Sequence, residues 1–427
     1  MQEFVSRLDG LSRRQWLEGA ARTALGVGLS AGLSDAIAAA PAATGGKAKR
    51  LIYLFMSGGM PHIDTFDVKP GTENQGATGV INTNVPGLQI SEYLPTLASQ
   101  CDTLAVIRSM NTLTGAHEEG EYLMRTSYEM IPTERHPTMG PWIQRLKGRQ
   151  NKNLPDTVTI GGSPAGAGFL DPSYSPLPIG DPNKGLENTT PPAYLTERSF
   201  EKRAALIDRF DKSFREQYPV ASVQSYTDFY DQAATLLTSG ELLAFDLSKE
   251  KPEDRDRYGR DPFGQGCMLA RRLIESNVRC VEVTLGAWDM HSNMWDPNLL
   301  PKHAGVLDQA VGTLLKDLSE RGLLDETLVV LTTEFGRSPA INSNRGRDHH
   351  PAAFSAVLAG AGIRGGQAYG KSDKHGHALE SDGVSPADLN ATIAEALGLP
   401  REEVVMSPTL RPFKVAHDGS PVKELLS

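Results

Sequence analysis

Acidic and histidine side chains follow the strand-like segments of this 427-residue chain. They come directly after, or one loop after, apolar runs at 51–55, 281–285 and 328–331. Six are placed in this way: Asp64, Asp289, His291, Glu334, His349 and His350. In an open α/β sheet, the loops beyond the carboxyl ends of the strands converge on one crevice. Carboxylates and imidazoles that meet there are ligands for a divalent metal, so the sequence predicts a metal-dependent, hydrolytic site.

The histidines in this set also have simpler interpretations. Asp289 and Asn293, with His291 between them, are typical of an Asx-type turn that carries a surface histidine. His349 and His350 are adjacent, and neighbouring side chains on extended backbone point in different directions. One of the pair is therefore expected to bind metal while the other makes a supporting contact.

Arg337 follows Glu334 by three positions, at the same expected edge of the sheet. Its guanidinium has the donor geometry that phosphate and sulfate oxygens accept. Arg337 is therefore a candidate catalytic residue that binds a substrate anion. The alternative is a salt bridge to Glu334 or Asp348.

The elements that would position these residues are predicted from hydrophobic periodicity. Further apolar runs at 104–107 and 357–358 join the three named above, and their continuous apolar character is typical of a parallel sheet covered on both faces. Helices are predicted at 120–127, 137–147, 199–218, 227–237, 264–276, 303–321 and 386–397. Two helix starts are marked by a capping residue before proline, at Asp261 and Ser385.

The middle of the chain has a different composition. Residues 155–193 are rich in Pro, Gly, Asn and Asp, and residues 199–260 are charged and helical in period, without strand patterns. We interpret 155–260 as a loop-rich and helical insertion in a single domain that spans 51–427.

The first 42 residues resemble a twin-arginine export signal. Arg13 and Arg14 precede a weakly apolar stretch, and the run at 36–43 offers small residues for cleavage. The alternative is an amphipathic first helix. Residues 43–50 would then be a linker. The mature protein is expected to be periplasmic or extracellular, with the twin-arginine export machinery as a partner and without a stable membrane span.

The composition limits the classes of partner. The formal net charge is −9, so there is no basic surface for nucleic acid, which is not an expected partner. The three cysteines, Cys101, Cys267 and Cys280, form no Cys-x-x-Cys pair, so a zinc–thiolate site is not expected. Buried thiols and a single disulfide both remain open.

Several stretches resemble a family of exported bacterial proteins known as domain of unknown function 1501. The stretches that carry the resemblance are 55–70, 286–293, 332–339, 346–351 and 358–366. The family is similar to alkaline phosphatases and sulfatases. This implies an α/β three-layer sandwich with a mostly parallel central sheet, alkaline-phosphatase-like in its arrangement.

The resemblance also implies roles for individual residues. The implied metal ligands are Asp64, Asp289, His291 or Asn293, Glu334, and His349 or His350. Phe335 stands where a second ligand would follow Glu334, which weakens a second metal site. His117 stands in the place of the sulfatase nucleophile, and no cysteine lies near it, so a formylglycine sulfatase is excluded. His117 is a candidate ligand or acid–base group, or alternatively a capping or buried histidine.

Two functions remain open from the sequence. The first is an exported metal-dependent hydrolase that acts on a small phosphate or sulfate ester, with zinc, manganese or calcium as the divalent metal. The second is a non-catalytic exported binding or structural protein that retains the fold. The missing nucleophile and Phe335 favour the second.

Overall fold

A computed structural model describes residues 46–427, apart from 163–165, 188, 190–196, 219–231 and 238. The predicted signal peptide at 1–42 and part of the helix predicted at 227–237 therefore lie outside the described residues. Among the residues that the structure describes, no helix is both long enough and apolar enough to cross a membrane.

The described residues form both strands and α-helices. The strands are β1 (Arg50–Met56), β2 (Val80–Asn82), β3 (Gln89–Ser91), β4 (Leu104–Met110), β5 (Thr157–Ile160), β6 (Leu177–Ile179), β7 (Cys280–Leu285), β8 (Thr327–Thr332), β9 (Gly336–Arg337), β10 (His349–His350), β11 (Phe354–Gly360), β12 (Gln367–Tyr369), β13 (Lys371–Ser372), β14 (Leu379–Ser381), β15 (Val405–Met406) and β16 (Pro412–Phe413). The helices are α1 (Pro95–Ala98), α2 (His117–Thr126), α3 (Met139–Lys147), α4 (Glu197–Gln217), α5 (Pro252–Tyr258), α6 (Pro262–Glu275), α7 (Leu300–Glu320) and α8 (Pro386–Ala396).

Eight strands form the central sheet, in the order β12-β4-β11-β8-β1-β7-β5-β6. β1 pairs in parallel with both β7 and β8. β11 runs antiparallel to its two neighbours, β4 and β8, while the remaining pairs of the sheet are parallel. The predicted mostly parallel sheet is confirmed.

The sheet is covered on both faces, because alternate residues of β1 enter two different hydrophobic clusters. Ile52 and Leu54 belong to one cluster, which includes buried residues of α6 and α7. Leu51 and Phe55 belong to the other, which includes buried residues of α3 and α8. Strands buried on both faces explain the continuous apolar runs in the sequence. The predicted three-layer α/β sandwich is confirmed.

The predicted helix starts have the expected local chemistry. The Asp261 side chain accepts hydrogen bonds from Phe263 N and Gly264 N, both at 3.0 Å, at the start of α6. Ser385 and Asp388 form a capping box at the start of α8. Each cap satisfies backbone donors that would otherwise lack a partner, which fixes where the helix begins.

The segment 155–260 is partly built into the sheet. β5 and β6 were not predicted from the sequence, yet β5 pairs with β7 and β6 forms the edge of the sheet. Their short length and the surrounding Pro and Gly residues hide the strand pattern. The helical part of the segment contains α4 and α5.

The strand pairing brings the loops after β1, β7 and β8 to one edge of the sheet. Met56, at the end of β1, is level with Leu285 at the end of β7, and Phe55 is level with Thr332 at the end of β8. The loops that follow these three strands therefore begin side by side, and they carry most of the residues that the sequence singled out.

Candidate metal centre

His117, Asp289 and His349 each bring one ligand atom to within 4.8 Å of the other two. His117 begins α2, which follows β4, Asp289 lies in the loop after β7, and His349 begins β10. Their side chains are 34 %, 46 % and 27 % exposed, so solvent reaches the cluster.

Both histidines of this cluster are held through their Nδ1 atoms. His117 Nδ1 lies 2.7 Å from Glu334 Oε1, and His349 Nδ1 lies 2.6 Å from the carbonyl oxygen of Gly115. Because a carbonyl and a carboxylate accept hydrogen bonds, a neutral imidazole at either position carries its proton on Nδ1 and offers the lone pair of Nε2. His117 Nε2 is buried and has no hydrogen-bond partner among the described residues. A buried lone pair without a donor fits a metal ligand.

The separations around Asp289 also fit a single ion. Asp289 Oδ1 lies 3.4 Å from His117 Nε2 and 3.2 Å from His349 Nε2. A tetrahedral zinc ion with bonds of about 2.0–2.1 Å places its ligand atoms roughly 3.3 Å apart. Two nitrogens and one carboxylate oxygen are therefore arranged as ligands of one cation.

His291 is a fourth donor beside this cluster. Its Nε2 lies 2.9 Å from Asp289 Oδ1 and 3.0 Å from His349 Nε2, while its Nδ1 lies 3.0 Å from Asp348 Oδ1. The same Nε2 also lies 3.3 Å from Arg337 Nη1, which is a hydrogen-bond donor. Arg337 therefore competes with a metal for the lone pair of His291, and His291 sits at the edge of the ligand set.

Glu334 lies behind His117 and is fully buried. Its Oε1 accepts hydrogen bonds from Gly58 N at 2.7 Å and from His117, while Thr333 Oγ1, which donates to Met56 O at 2.7 Å, lies 3.0 Å from its Oε2. The hydrogen bond to Glu334 raises the pKa of His117, against the opposing effect of burial. Glu334 was predicted to be a ligand, but it lies behind His117 and outside the three clustered ligand atoms, where it orients the His117 ring instead.

Arg337 is 1 % exposed, and all five of its N–H donors are occupied. Nε donates to Gly59 O at 3.0 Å, Nη1 donates to Arg347 O at 3.1 Å and faces His291, and Nη2 donates to Gly58 O and Asp289. The predicted anion-binding role is corrected accordingly, because no donor is left for a substrate.

Arg337 instead sets the charge of Asp289. Burial alone would raise the pKa of Asp289, but the hydrogen bond and positive charge of Arg337 lower it to about 2. Asp289 is therefore ionised at neutral pH, and its Oδ1 lies between Arg337 and the imidazoles of His117 and His349.

Asp64 lies outside the cluster, although the sequence predicted it as a ligand. It is fully buried, and its Oδ2 accepts from Arg347 Nε at 2.7 Å while its Oδ1 accepts from Thr78 Oγ1 at 2.5 Å. Arg347 also donates to Asn74 O at 2.7 Å. Both oxygens of Asp64 are thus used in an ion pair that ties the loop after β1 to the loop that leads to β10.

His350 points away from its neighbour His349. Its Nε2 donates to His377 O at 2.8 Å, and its ring stacks on His62 with the ring centroids 6.2 Å apart. Successive side chains of a strand face opposite sides, so only one of the two histidines reaches the cluster. His350 is the one that does not.

Phe335 packs against the cluster from one side. It is fully buried, and its ring centroid lies 4.9 Å from that of His117 and 4.8 Å from that of His349. The residue that stands in place of an expected ligand thus forms an apolar wall against both ligand rings, which limits their rotation.

Sequence reasoning missed two partners of the predicted site residues. The Gly115 carbonyl fixes His349, and Arg347 binds Asp64 although the two residues are 283 positions apart. Backbone carbonyls leave no residue-type pattern, and no motif spacing links positions so far apart. Asp348, considered only as a partner for Arg337, proves to orient His291.

Residues 48–426 match a family described as "Protein of unknown function (DUF1501)". The chain belongs to this family. The resemblance inferred from the sequence is thereby confirmed. Among curated proteins, none matches this DUF1501 protein in sequence.

The DUF1501 protein is also similar to solved structures. A protein in the alkaline phosphatase superfamily from Vibrio parahaemolyticus has 11 % identity and a TM-score of 0.40, with 91 % of this chain and 72 % of that chain covered. The lipoteichoic acid synthase LtaP from Listeria monocytogenes has 8 % identity and a TM-score of 0.38, with 84 % and 74 % covered. The PsFucS1 sulfatase from Pseudoalteromonas sp. has 12 % identity and a TM-score of 0.37, with 88 % and 73 % covered. Similarities at this level support no conclusion about activity.

Proposed function

We propose that this DUF1501 protein is an exported metal-dependent hydrolase that acts on a small phosphate or sulfate ester. One observation carries the proposal. The Nε2 lone pairs of His117 and His349 meet the ionised carboxylate of Asp289 in a solvent-accessible cluster. Three protein ligands with an open position are typical of catalytic rather than structural metal sites.

Zinc is the metal that this donor set favours. Calcium prefers six to eight oxygen ligands, whereas two or three imidazoles with one carboxylate suit zinc and, less strongly, manganese. When bound, a divalent cation supplies Lewis-acid activation of an ester oxygen or of water. Of the metals that the sequence left open, calcium fits these residues least.

The protein's own residues hold and orient this centre. Glu334 keeps His117 in the tautomer that presents Nε2, and the Gly115 carbonyl does the same for His349. Arg337 holds Asp289 in place and ionised. None of these contacts requires a bound substrate, so the ligand set is preorganised before an ester binds.

The two hydroxyl side chains nearest to His117 in sequence are not available as nucleophiles, which favours direct attack of water on the ester. Thr114 Oγ1 donates to Glu119 Oε2 at 2.9 Å, and Thr112 Oγ1 is buried. A side-chain nucleophile is therefore not presented by either residue, and His117 itself is engaged as a ligand. In this reaction no covalent enzyme intermediate forms, and one oxygen atom from solvent enters the product.

A second candidate is a non-catalytic exported protein that keeps this centre as a structural or binding site. Two observations favour it. Arg337 has no donor free for an anionic substrate, and Glu118 and Glu119 place negative charge in the first turn of α2, beside His117. Like charges there would repel a phosphate or sulfate group.

One assay separates the two candidates. Zinc-loaded protein is tested on aryl phosphate monoesters, aryl phosphate diesters and aryl sulfates, with His349→Ala and His350→Ala as matched variants. The hydrolase predicts turnover that His349→Ala lowers by about a hundredfold or more, while His350→Ala changes it little. Silence across the panel, with zinc bound and the protein folded, establishes the non-catalytic candidate in its place.

Export through the twin-arginine pathway is part of the same proposal. Residues 1–42 carry Arg13 and Arg14 ahead of an apolar stretch with cleavage positions, which supports a signal peptide. Changing both arginines to lysine is expected to retain the precursor in the cytoplasm. Fractionation that finds normal amounts of mature protein outside the inner membrane contradicts this part of the proposal.

A further inference from the structure

Four basic residues form a cluster at the edge of the central sheet that lies opposite the candidate metal centre. Arg50 is the first residue of β1, and Arg279 directly precedes β7. Lys147 ends α3, and Arg149 follows it two positions later. The metal centre lies beyond the other ends of β1 and β7, so the seven residues of β1, about 20 Å in length, separate it from this basic cluster.

Asp156 lies among three members of the basic cluster. Arg279 Nε lies 3.4 Å from Asp156 Oδ2, and Arg279 Nη2 donates to Lys147 O at 3.5 Å. Gln150 N donates to Asp156 Oδ1 at 3.0 Å, which brings the preceding residue, Arg149, close to the same carboxylate. Burial lowers the pKa of Arg149, and the charge of Asp156 opposes that effect. One carboxylate therefore serves two guanidinium groups.

Arg50 completes the basic cluster on the neighbouring strand, because it is level with Arg279 in the parallel pairing of β1 and β7. Arg50 Nη1 lies 3.2 Å from Glu326 Oε2, and Arg50 Nη2 donates to Asn277 Oδ1 at 2.7 Å. Glu326 also pairs with Lys49. In these contacts two carboxylates face five basic side chains, so positive charge remains uncompensated.

Several N–H donors of the basic cluster have no acceptor among the residues that the structure describes. The Nε atoms of Arg50 and Arg149 are buried without a hydrogen-bond partner, and Arg50 is 7 % exposed. Nη1 of Arg149 and Nη1 of Arg279 also have no partner, and both atoms are accessible to solvent. Because buried polar groups are normally paired, the basic cluster has more donors than its surroundings satisfy.

We propose that the basic cluster binds a phosphate or sulfate group, as a free ion or as the end group of a small molecule. Guanidinium groups bind these oxyanions through charge-assisted N–H donors, and Nη1 of Arg149 and of Arg279 are the donors that solvent reaches. Lys147 adds a third positive charge, and burial together with the charge of Arg279 lowers its pKa. A bound anion relieves this repulsion. The argument uses no residue of the candidate metal centre and does not depend on the proposed hydrolysis.

Isothermal titration calorimetry with inorganic phosphate and with sulfate, on chelator-treated protein at constant ionic strength, tests this inference. Arg149→Gln and Arg279→Gln are each expected to weaken binding by about tenfold or more, because each loses a charge-assisted hydrogen bond. Arg145→Gln is the matched control, since Arg145 lies on α3 but pairs with Glu403 at 3.9 Å. His349→Ala should bind phosphate like the unchanged protein, which separates this site from the metal centre.

Asp156→Asn is a second kind of variant, because it removes the negative charge among the arginines and should bind phosphate more tightly. A purely structural role of the cluster would not produce that gain. Glycerol phosphate, titrated alongside, distinguishes an esterified phosphate from a free ion by its relative affinity. Circular dichroism checks that each variant is folded.

The results that overturn the inference are specific. Absence of saturable binding of phosphate, sulfate and glycerol phosphate by the unchanged protein overturns it. Binding that Arg149→Gln and Arg279→Gln both leave unchanged also overturns it, because the anion then occupies another site. Weaker binding in these two variants, with Arg145→Gln and His349→Ala unaffected, supports it.

Discussion

His117 Nδ1 and Glu334 Oε1 lie 2.7 Å apart, and this contact joins the first turn of α2 to the loop after β8. The imidazole is thereby fixed with its Nε2 directed at Asp289, 3.4 Å away. The contact makes Glu334 a positioning residue of the proposed metal centre, although it touches no metal itself.

Replacing Glu334 with Gln is expected to weaken zinc binding by about 10- to 100-fold, because the ligand loses its carboxylate partner. Glu121→Gln is the matched control. Glu121 accepts a hydrogen bond from Ser57 Oγ at 2.5 Å one turn further along α2, so it tests the same helix–sheet interface away from the ligands. Competition with a chromophoric chelator measures the zinc affinity of both variants. Equal affinities would show that Glu334 does not position a metal ligand.

Replacing each of the two adjacent histidines of β10 is expected to have a very different effect on zinc content. His349→Ala removes a ligand and should leave the purified protein largely free of zinc, whereas His350→Ala should retain it, because His350 Nε2 is bonded to His377 O. Elemental analysis of the two variants, prepared side by side, measures the metal per chain. Loss of zinc from His350→Ala with retention in His349→Ala would reverse the assignment.

Replacing Asp64 is expected to lower the stability of the protein but to change its metal content little. Asp64→Asn leaves the buried Arg347 guanidinium without its counter-charge, at a cost of about 3–5 kcal/mol in the free energy of unfolding. Denaturant titration measures this loss, and metal analysis at low denaturant should still find zinc. A variant of normal stability that binds no zinc would mean that Asp64 is a ligand after all.

His62 should make the protein less stable in mild acid. Burial lowers its pKa from 6.5 to about 4, so the folded protein keeps it neutral while the unfolded chain takes up a proton below about pH 6.5. Stability from this group is full above pH 6.5 and decreases as the pH falls towards 4, by about 2 kcal/mol between pH 7.5 and pH 5.

Denaturant titrations across this pH range check the prediction for His62. His62→Asn removes the titrating group, so its stability should depend less steeply on pH than that of the unchanged protein, whatever its absolute value. Identical slopes for the two proteins would show that His62 titrates normally in the fold.

Much of the fold could be predicted because local patterns determine it. The strands β1 and β8 contain continuous apolar runs, β7 is rich in β-branched residues, and α6 and α8 begin at the capping residues that the sequence displays. β5 and β6 were missed because four and three residues carry too little periodicity to be distinguished from loop.

The residue types of the candidate site could be predicted from the sequence, but which of these residues contact each other could not. The loops after the strands supplied Asp289 and His349, since strand ends meet at one edge of a sheet, whereas His117 came from the resemblance to sulfatases. Whether a carboxylate binds metal or an arginine depends on contacts between distant segments, as Asp64 and Arg347 show. Which of His349 and His350 reaches the cluster depends on the face that β10 presents to it, and the sequence does not specify that face.

The most direct test of the proposed centre is a crystal structure of the zinc-soaked protein with anomalous scattering recorded at the zinc absorption edge. The proposed centre predicts one strong peak, about 2.0–2.1 Å from His117 Nε2, His349 Nε2 and Asp289 Oδ1, with His291 Nε2 nearby. A peak elsewhere, or no peak with these side chains ordered as described and zinc in excess, would contradict the metal centre.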